Sequence, residues 1–208
     1  IHSRMTTCLT TLSMAQDRIG LIDTHSQWRR RIYTHAIYVL RWSSAYACYD
    51  AVAQLFGIHR FDFSLVDQHV RKKIIHPNPV TINSSFLALG VFCSDLGKER
   101  ELPLESWSQG LELLLQKTKE DLVFLGGPRD KIPAEKIILG IQPSLRSRIH
   151  ILCGKTSLRE SIDVLSRAKA FVGIDTALMH LAGLVGVPQF GFWGPTNPKA
   201  VLRPSPVL

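Results

Sequence analysis

The amino-acid sequence predicts an α/β protein in which a parallel β-sheet is covered by helices on both faces. From about residue 80, short apolar runs alternate with amphipathic stretches of helical period. The apolar runs are continuous, which is typical of strands that are buried on both faces. With 208 residues, of which 45% are hydrophobic and 20% charged, the chain is long enough to bury a core and too apolar to be largely disordered.

The predicted strands and helices after residue 80 follow one another in regular order. The strands are 80–85, which runs into a polar turn, 122–127, 148–154, 170–174 and 188–193. The helices are 103–118, 133–141, 157–168 and 176–186. The apolar face of the first helix is expected to carry Leu104, Trp107, Leu111 and Leu114. Ser157 and Glu160 have the spacing of a capping box, which predicts the start of the third helix.

The first third of the chain is less regular. We predict a helix at 5–15, a strand at 18–23 and a helix at 45–58, with a polar and basic loop at 24–39. The stretch 60–79 has the composition of a linker. We therefore divide the chain into residues 1–73, which are too few and too irregular for a complete α/β domain, and a second domain at 74–208.

The positive charge is concentrated in the first part of the chain. The formal net charge is +8, and residues 1–73 contribute +5 of it. The clusters WRRR (28–31) and RKK (71–73) are suited to phosphates, nucleic acid or an anionic membrane surface, although a solvated basic face is an equally good interpretation. No RNA-binding motif or zinc-finger spacing accompanies them, so a nucleic-acid partner is not expected.

The cysteines and the hydropathy exclude several protein classes. Cys8, Cys48, Cys93 and Cys153 are far apart and form no Cys-x-x-Cys pair, which argues against a zinc site and a disulfide framework and fits a reducing cytoplasm. No apolar run approaches the roughly 20 residues that span a bilayer. The sequence shows no signal peptide.

Three groups of polar or small residues follow predicted strands. They are Asn83, Ser84 and Ser85; Gly126, Gly127, Arg129 and Asp130; and Asp175, Thr176 and Ala177. The carboxyl ends of parallel strands meet at one edge of a sheet, where helix amino termini point and ligands bind. We therefore expect all three groups to converge on one cleft.

The residues after the strand at 170–174 are typical of an anion site. Thr176 and Ala177 are small enough for a ligand to approach the free N–H groups of the next helix, and these groups favour phosphate. The helix dipole contributes only about 0.3–1 kcal/mol. A cation is therefore also needed, and Lys98 or Arg100 is the nearest candidate.

Two further residues of this turn have a functional and a structural interpretation. Asp175 suits the hydroxyl groups of a sugar, and His180 lies one turn into the helix, where its side chain could face the cleft. In the structural interpretation, Asp175 or Thr176 merely caps the helix and His180 is a core histidine.

The stretch FVGIDTALMHLAGLVGVPQFGFWGPTNP (171–198) resembles the donor-site signature of glycosyltransferase family 9, the bacterial heptosyltransferases of lipopolysaccharide core synthesis. The family pattern is a strand, Asp-Ser/Thr-Gly/Ala-x-x-His, a helix of small residues, and a second strand that ends in Phe/Trp-Gly-Pro-Thr. The matching residues are Asp175, Thr176, Ala177, His180, Gly194, Pro195 and Thr196. GKERELPLESW (97–107) is similar, more weakly, to the family's Lys-x-Trp-Pro-x-x-x-Trp/Phe segment.

This resemblance implies a GT-B fold, in which a Rossmann-like parallel-sheet donor domain at 74–208 follows the last part of a second, acceptor-side Rossmann-like domain at 1–73. The implied reaction is inverting transfer of a heptose or similar sugar from an ADP-sugar to a lipopolysaccharide core or related glycolipid. The base of the nucleotide comes from the resemblance alone. The sequence has no Asp-x-Asp, so no metal cofactor is expected.

The resemblance also assigns residues to the two substrates. The donor would be bound by Ser84, Ser85 and Lys98 at the diphosphate, by Asp130 at the ribose, and by Asp175, Thr176, Ala177 and His180 around the sugar and diphosphate. Arg29, Arg30 and Arg31 would lie on the acceptor side, facing an anionic glycolipid. The protein is then expected in the cytoplasm, with peripheral contact to the inner membrane.

Three departures from the family pattern matter. The family's glycine-containing loop and base aspartate have no counterpart, so the catalytic base is unknown, and Asp23 and Asp175 are the candidate substitutes. FLALGVFCSDLG (86–97) lengthens the link between the hydroxyl pair and Lys98. The chain also stops before the expected closing helices, so we expect a fragment that binds nucleotide weakly and is inactive alone. The alternatives are a nucleotide-sugar epimerase of GT-B architecture and a non-catalytic nucleotide-binding module.

Overall fold

The structure is a computed structural model that describes residues 4–23, 27–40, 43–58, 68 and 81–202. The chain forms two compact units, one of Ile1–Asp62 with Pro198–Leu208 and the other of Phe63–Asn197. The domain boundary predicted near residue 73 lies outside the described residues, and so does the basic cluster at 71–73.

The smaller unit contains two parallel strands, β1 (Ile19–Ile22) and β2 (His35–Tyr38). Helix α1 (Arg4–Leu12) precedes β1, and helix α2 (Ala45–Leu55) follows β2. The predicted helices at 5–15 and 45–58 and the predicted strand at 18–23 are confirmed, and each ends earlier than predicted. The predicted loop at 24–39 instead contains β2 and a 3₁₀ helix, Gln27–Ile32. β2 has the sequence HAIY, in which no residue is buried and apolar and polar residues do not alternate, so the sequence gives no strand signal there.

The larger unit contains a five-stranded parallel sheet in the order β5-β4-β3-β6-β7. Its strands are β3 (Phe86–Gly90), β4 (Asp121–Phe124), β5 (Ile149–Ile151), β6 (Ala170–Ile174) and β7 (Gln189–Phe192). The connecting helices are α3 (Leu104–Lys117), α4 (Lys131–Leu139), α5 (Leu158–Arg167) and α6 (Ala177–Leu184). The predicted α/β fold with a parallel sheet is confirmed.

The strand order determines where the helices lie. The chain steps outward from β3 to β4 and β5, and then crosses back to β6 and continues to β7. Because right-handed crossovers put these two series of helices on opposite faces, α3 and α4 cover one face while α5 and α6 cover the other. Within each pair the two helices contact each other. The short helix α7 (Pro198–Val201) belongs to the smaller unit and contacts α2.

The sheet of the larger unit forms the core. Every residue of β3 is buried, and α3 packs Trp107, Leu111 and Leu115 against the sheet. Leu104 and Leu114 are half-buried and pack against the same core. The apolar face predicted for this helix is therefore confirmed, as is the capping box of α5, in which Ser157 and Glu160 exchange hydrogen bonds.

The first strand of this sheet was predicted in the wrong place. The strand is Phe86–Gly90, whereas 81–85 contains no strand. The residues FLALG form a longer fully apolar run than VTI before them, and the longer run gains more from burial between two helix layers. FLALGVFCSDLG is therefore β3 and the loop after it rather than an insertion. As a result Ser84 and Ser85 precede β3, at the amino edge of the sheet.

The centre of the sheet is a topological switch point. β3 pairs with β4 on one side and with β6 on the other, so that Leu87 lies opposite both Leu122 and Ala170. The connections that leave β3 and β6 run in opposite directions along the sheet. The loops after these two strands therefore flank one crevice, which is where open α/β sheets bind ligands.

Candidate functional site

An open cleft of about 1010 Å³ lies at the carboxyl edge of the larger unit's sheet. It is lined by the loops that follow β3, β4, β5 and β6. The charged side chains in its lining are Asp95, Lys98, Arg100, Glu101, Arg129, Asp130 and Asp175. Two of the three polar groups predicted from the sequence, those at 126–130 and 175–177, therefore do converge on one cleft.

The turn from β6 into α6 forms one wall of this cleft. Thr176 is the N-cap residue in extended conformation, with φ −141° and ψ 169°, but its side chain makes no capping hydrogen bond. Thr176 Oγ1 is buried and has no hydrogen-bond partner among the described residues. Buried hydroxyls normally have a partner. This hydroxyl, together with the first N–H groups of α6, can therefore receive a ligand oxygen.

Asp175 is held from two sides. It is buried, and Arg100 Nη1 donates to its main-chain oxygen at 3.0 Å and lies 3.3 Å from Oδ2. His180 Nε2 lies 3.6 Å from Oδ1. His180 thus stands beside Asp175, as one helical turn requires, but it is not among the described residues that line the cleft. The core-histidine interpretation is wrong, because the His180 side chain is 38% exposed.

Lys98 is engaged within its own segment. It lies in the 3₁₀ helix Asp95–Arg100, and its Nζ donates to both carboxylate oxygens of Glu101, at 3.0 and 3.1 Å. The hydrogen bond with Glu101 raises the pKa of Lys98. Burial raises the pKa of Glu101, but the hydrogen bonds from the Cys93 N–H and from Lys98 outweigh burial and hold that pKa below its ordinary value. The charge of Lys98 is therefore balanced locally.

The loop after β4 supplies the opposite wall. Asp130 Oδ2 accepts a hydrogen bond from the Gly127 N–H at 2.7 Å. The same carboxylate oxygen would lie 2.5 Å from a Cβ at Gly126, so a side chain at that position would displace it. Arg129 reaches across to Asp95 at 3.0 Å, and both side chains are largely exposed. Asp130 thus shapes the loop in addition to lining the cleft.

The third predicted group does not reach the cleft. Ser84 Oγ donates to Asp121 Oδ2 at 2.5 Å, and Asp121 is the first residue of β4. Asp121 also accepts from His150 Nε2 at 2.9 Å and lies 3.6 Å from Arg148 Nε. This cluster is at the amino edge of the sheet, so the structure separates Ser84 and Ser85 from the other candidates.

The loop after β3 instead brings Cys93, Ser94 and Arg100 to the cleft. Sequence reasoning missed Cys93 and Ser94 because the strand had been predicted too early. Arg100 was named only as an alternative to Lys98. Counted back from Pro103, the Lys-x-Trp-Pro spacing places Arg100 rather than Lys98 in the first position, and this signal could have identified it.

The arginine triplet of the smaller unit does not form one exposed basic surface. Arg29 is only 6% exposed, and its guanidinium lies over the Trp28 ring, 4.9 Å from the centroid. Arg30 and Arg31 are exposed, and the Arg30 guanidinium lies 5.9 Å from the centroid of the Tyr38 ring. The acceptor-side role of the triplet stays a prediction, and burial of Arg29 leaves Arg30 and Arg31 as its exposed members.

The described part of the chain contains neither a group of metal-binding side chains nor a membrane-spanning helix. No three His, Cys, Asp or Glu side chains in it are grouped so that they could hold a metal ion. Within the same ranges, no helix has the length and apolar character that crossing a membrane requires.

Comparison with known proteins gives a consistent result. Residues 8–205 match the sequence pattern of glycosyltransferase family 9 (heptosyltransferase). Lipooligosaccharide heptosyltransferase 2 of Haemophilus influenzae is 30% identical over 110 residues, which cover 52% of this chain and 32% of that protein. The match thus spans about a third of the relative's length.

Solved structures show the same fold. The E. coli ADP-heptose lps heptosyltransferase II superposes with a TM-score of 0.66 at 16% identity, over 98% of this chain and 66% of that chain. E. coli heptosyltransferase WaaC with ADP-2-deoxy-2-fluoro heptose gives a TM-score of 0.63 at 19% identity, over 89% of this chain and 57% of that chain. The GT-B type predicted for the fold is confirmed. The chain belongs to glycosyltransferase family 9, the heptosyltransferase family.

Proposed function

We propose that this protein is an inverting glycosyltransferase that moves a heptose or similar sugar from an ADP-sugar to a lipopolysaccharide core or related glycolipid. The observation that carries the proposal is the turn Asp175–Thr176–Ala177, which opens α6 inside the cleft at the sheet's switch point. Membership of family 9 supports the reaction class. Two similar proteins support the donor: one is an ADP-heptose heptosyltransferase, and the other was solved with ADP-2-deoxy-2-fluoro heptose.

The donor diphosphate fits the start of α6. The first N–H groups of a helix lack intrahelical partners and favour phosphate oxygens, and the Thr176 hydroxyl is a further donor that is already buried there. Cations on the segment 95–100 lie in the same cleft. Sugar transfer leaves negative charge on the departing diphosphate. A preorganised hydrogen-bond donor that stabilises this charge lowers the activation barrier by about 3–4 kcal/mol.

The other predicted donor contacts are compatible with the same pose. A carboxylate accepts more than one hydrogen bond, so Asp130 can hold the Gly127 N–H and a ribose hydroxyl together. Asp175 and His180 would orient the sugar or the diphosphate. Asp175 is not assigned as the catalytic base, because its carboxylate already contacts Arg100 Nη1 at 3.3 Å. The base is unassigned, and Asp23, which follows β1 in the smaller unit, has no motif to support it.

The acceptor side of the proposal concerns the smaller unit. Arg30 and Arg31, both exposed, would contact an anionic glycolipid at the cytoplasmic face of the inner membrane. Arg29 no longer belongs to this set.

One measurement tests the proposed donor, and a second tests whether the chain is active by itself. Equilibrium dialysis with ADP-heptose and UDP-glucose should show weak binding that favours ADP-heptose, and a preference for UDP-glucose would contradict the donor. In the second measurement, the protein is incubated with ADP-heptose and a heptose-free lipopolysaccharide core. We expect the 208-residue chain to release no ADP. Robust transfer would overturn that expectation, and the anomeric configuration of the product would then decide whether the reaction inverts.

A further inference from the structure

One carboxylate closes the loop that follows β3. Glu101 Oε1 accepts a hydrogen bond from the Cys93 N–H at 2.9 Å, and both carboxylate oxygens of Glu101 accept from Lys98 Nζ, at 3.0 and 3.1 Å. The Glu101 N–H donates in turn to Lys98 O at 3.0 Å. Glu101, at the end of the loop, therefore holds both a residue near its start and one in its middle. We call residues 93–101, closed in this way, the Glu101 ring.

Further contacts inside the Glu101 ring fix its shape. Cys93 Sγ donates to Gly97 O at 2.8 Å, and the Gly97 N–H donates to Ser94 O at 2.9 Å. These bonds join residues of the same loop, so they form without a ligand. A loop that already has its bound conformation loses less conformational entropy when a ligand arrives. The ring is therefore a preorganised part of the cleft wall.

The Glu101 ring carries a side chain that reaches the opposite wall of the cleft. Arg100, next to Glu101 in the sequence, donates from Nη1 to Asp175 O at 3.0 Å. A Cβ built at Gly194 would lie 3.3 Å from Glu99 O, so the loop after β7 packs closely against the same ring. The conformation of the ring therefore determines where this cleft wall lies relative to the turn that opens α6.

The charge of Glu101 and its contacts have opposite consequences for an anionic ligand. The Glu101 side chain is only 20% exposed. Although burial raises the pKa of Glu101, the hydrogen bonds from the Cys93 N–H and from Lys98 outweigh burial and hold that pKa below its ordinary value. A charged carboxylate in the cleft would by itself repel a nucleotide diphosphate. The contacts of Glu101 within the ring would instead favour binding, because they keep the cleft wall in place.

We propose that Glu101 is a positioning residue of the candidate donor cleft, whose carboxylate closes the Glu101 ring and so sets the cleft wall before an ADP-sugar binds. This inference rests on the proposed function, because it concerns how that same cleft is prepared for the donor. Glu101 acts through the ring and not through the ligand. Its contribution is the conformational entropy that a looser loop would lose on binding.

The test compares the ADP affinity of the full chain, measured by amide NMR titration, between the wild type and two variants. Glu101→Ala removes both side-chain bonds that close the ring and should weaken ADP binding about tenfold, since the loop must then be ordered on binding. Glu101→Gln keeps an oxygen that can accept from the Cys93 N–H, so it should recover most of the loss. Hydrogen exchange at the Cys93 N–H should accelerate in Glu101→Ala, whereas exchange at the buried Leu89 of β3 should not.

Glu99→Ala is the matched control, because Glu99 is exposed and is not among the described residues that line the cleft. It removes the same charge and should leave ADP affinity within about twofold. A loss in Glu99→Ala as large as that in Glu101→Ala would overturn the inference, because the closed ring would then not be what matters.

The sign of the effect separates the two roles of Glu101. Stronger ADP binding in Glu101→Ala would mean that the carboxylate acts by repelling the ligand or by withholding Lys98 from it. Unchanged binding would mean that the cleft wall needs no closed ring. Either result overturns the inference and leaves the proposed donor site standing. If the wild-type chain binds no ADP, the proposed function fails and the inference fails with it.

Discussion

Arg100 and Asp175 are joined by a contact of 3.3 Å between Nη1 and Oδ2, across two loops that follow neighbouring strands of the sheet. The pair links the 3₁₀ helix after β3 to the turn after β6. Because the Asp175 side chain is only 10% exposed, it depends on Arg100 for compensation of its charge. The contact thus holds the two walls of the candidate donor cleft together.

Removing one partner of this pair should therefore be costly. Asp175→Ala leaves the Arg100 guanidinium half-buried without its carboxylate, and we expect a loss of about 1–3 kcal/mol in the free energy of unfolding. Asp95→Ala is the control, because the pair of Asp95 and Arg129 is largely exposed and such pairs contribute about 0–1 kcal/mol. Urea unfolding of both variants would measure the difference. Similar losses would show that the Asp175 pair is solvated and does not brace the cleft.

The amino edge of the sheet should make stability depend on pH. Burial raises the pKa of Asp121, but hydrogen bonds from His150 and Ser84, with the charge of Arg148, outweigh burial and lower it. A pKa that is lower in the folded state stabilises the fold above the unfolded carboxyl value of about 3.9, and this contribution is lost as the pH falls through the folded value.

Urea midpoints measured between about pH 6 and about pH 3 should therefore fall less steeply in Asp121→Asn than in the wild type, because Asn cannot gain the proton. The exposed Asp95→Asn should keep the wild-type slope. If the urea midpoints of the wild type and both variants fell equally with pH, protonation of Asp121 would not affect the stability of the fold.

The apolar face of α3 should be needed for stability, and its outer face should not. Leu111 is 2% exposed and Leu113 is 56% exposed on the same helix. Leu111→Ala should cost about 2–5 kcal/mol through lost burial and the cavity that remains. Leu113→Ala should change stability by no more than about 0.5 kcal/mol. Chemical denaturation gives both values, and a reversed order would mean that α3 is rotated about its axis.

Thiol reactivity should distinguish the exposed Cys8 from the buried Cys153. Burial raises the pKa of Cys153 to about 12, so its thiolate is scarce near neutral pH. Cys8 is exposed. A native chain treated with a thiol reagent should be labelled at Cys8 within minutes and at Cys153 only after denaturation, as peptide mass spectrometry would show. Fast labelling of native Cys153 would place it outside the core.

Membrane contact of the smaller unit should depend on Arg30 and Arg31. Each basic residue near an anionic lipid surface contributes about 1 kcal/mol. Replacing both by Glu should therefore reduce cosedimentation with phosphatidylserine-containing vesicles by about tenfold or more. The combined change of Lys119 and Arg159 to Glu, two exposed residues of the larger unit, serves as the control because it alters the net charge equally. Equal effects of the two changes would show that vesicle binding depends only on net charge and not on Arg30 and Arg31.

Much of the larger unit could be predicted from the sequence because its local signals agree with its tertiary structure. Strand β6 occupies the predicted residues 170–174, and the capping box of Ser157 and Glu160 correctly marks the start of α5. Ser84 was misplaced because two strand-like runs, the β-branched VTI and the apolar FLALG, follow one another. Either run satisfies a strand pattern, and only the pairing with β4 and β6 selects the second.

The site was predicted less completely because it depends on distant contacts. The cleft residues Asp175, Thr176 and Ala177 belong to one contiguous motif, which sequence alone can show. Whether Lys98 or Arg100 reaches Asp175 depends on the path of a long side chain past Gly97. Burial of Arg29 depends on packing of a 3₁₀ helix that shows no period in the sequence.

The most direct test of the donor site is an amide NMR titration of the chain with ADP and UDP. The account predicts weak binding that is stronger for ADP, with shifts concentrated at residues 94–100, 126–130 and 175–178, the loops that line the cleft. Shifts centred instead on Ser84, Asp121 and His150, or stronger binding of UDP, would contradict the assignment of this cleft to an ADP-sugar.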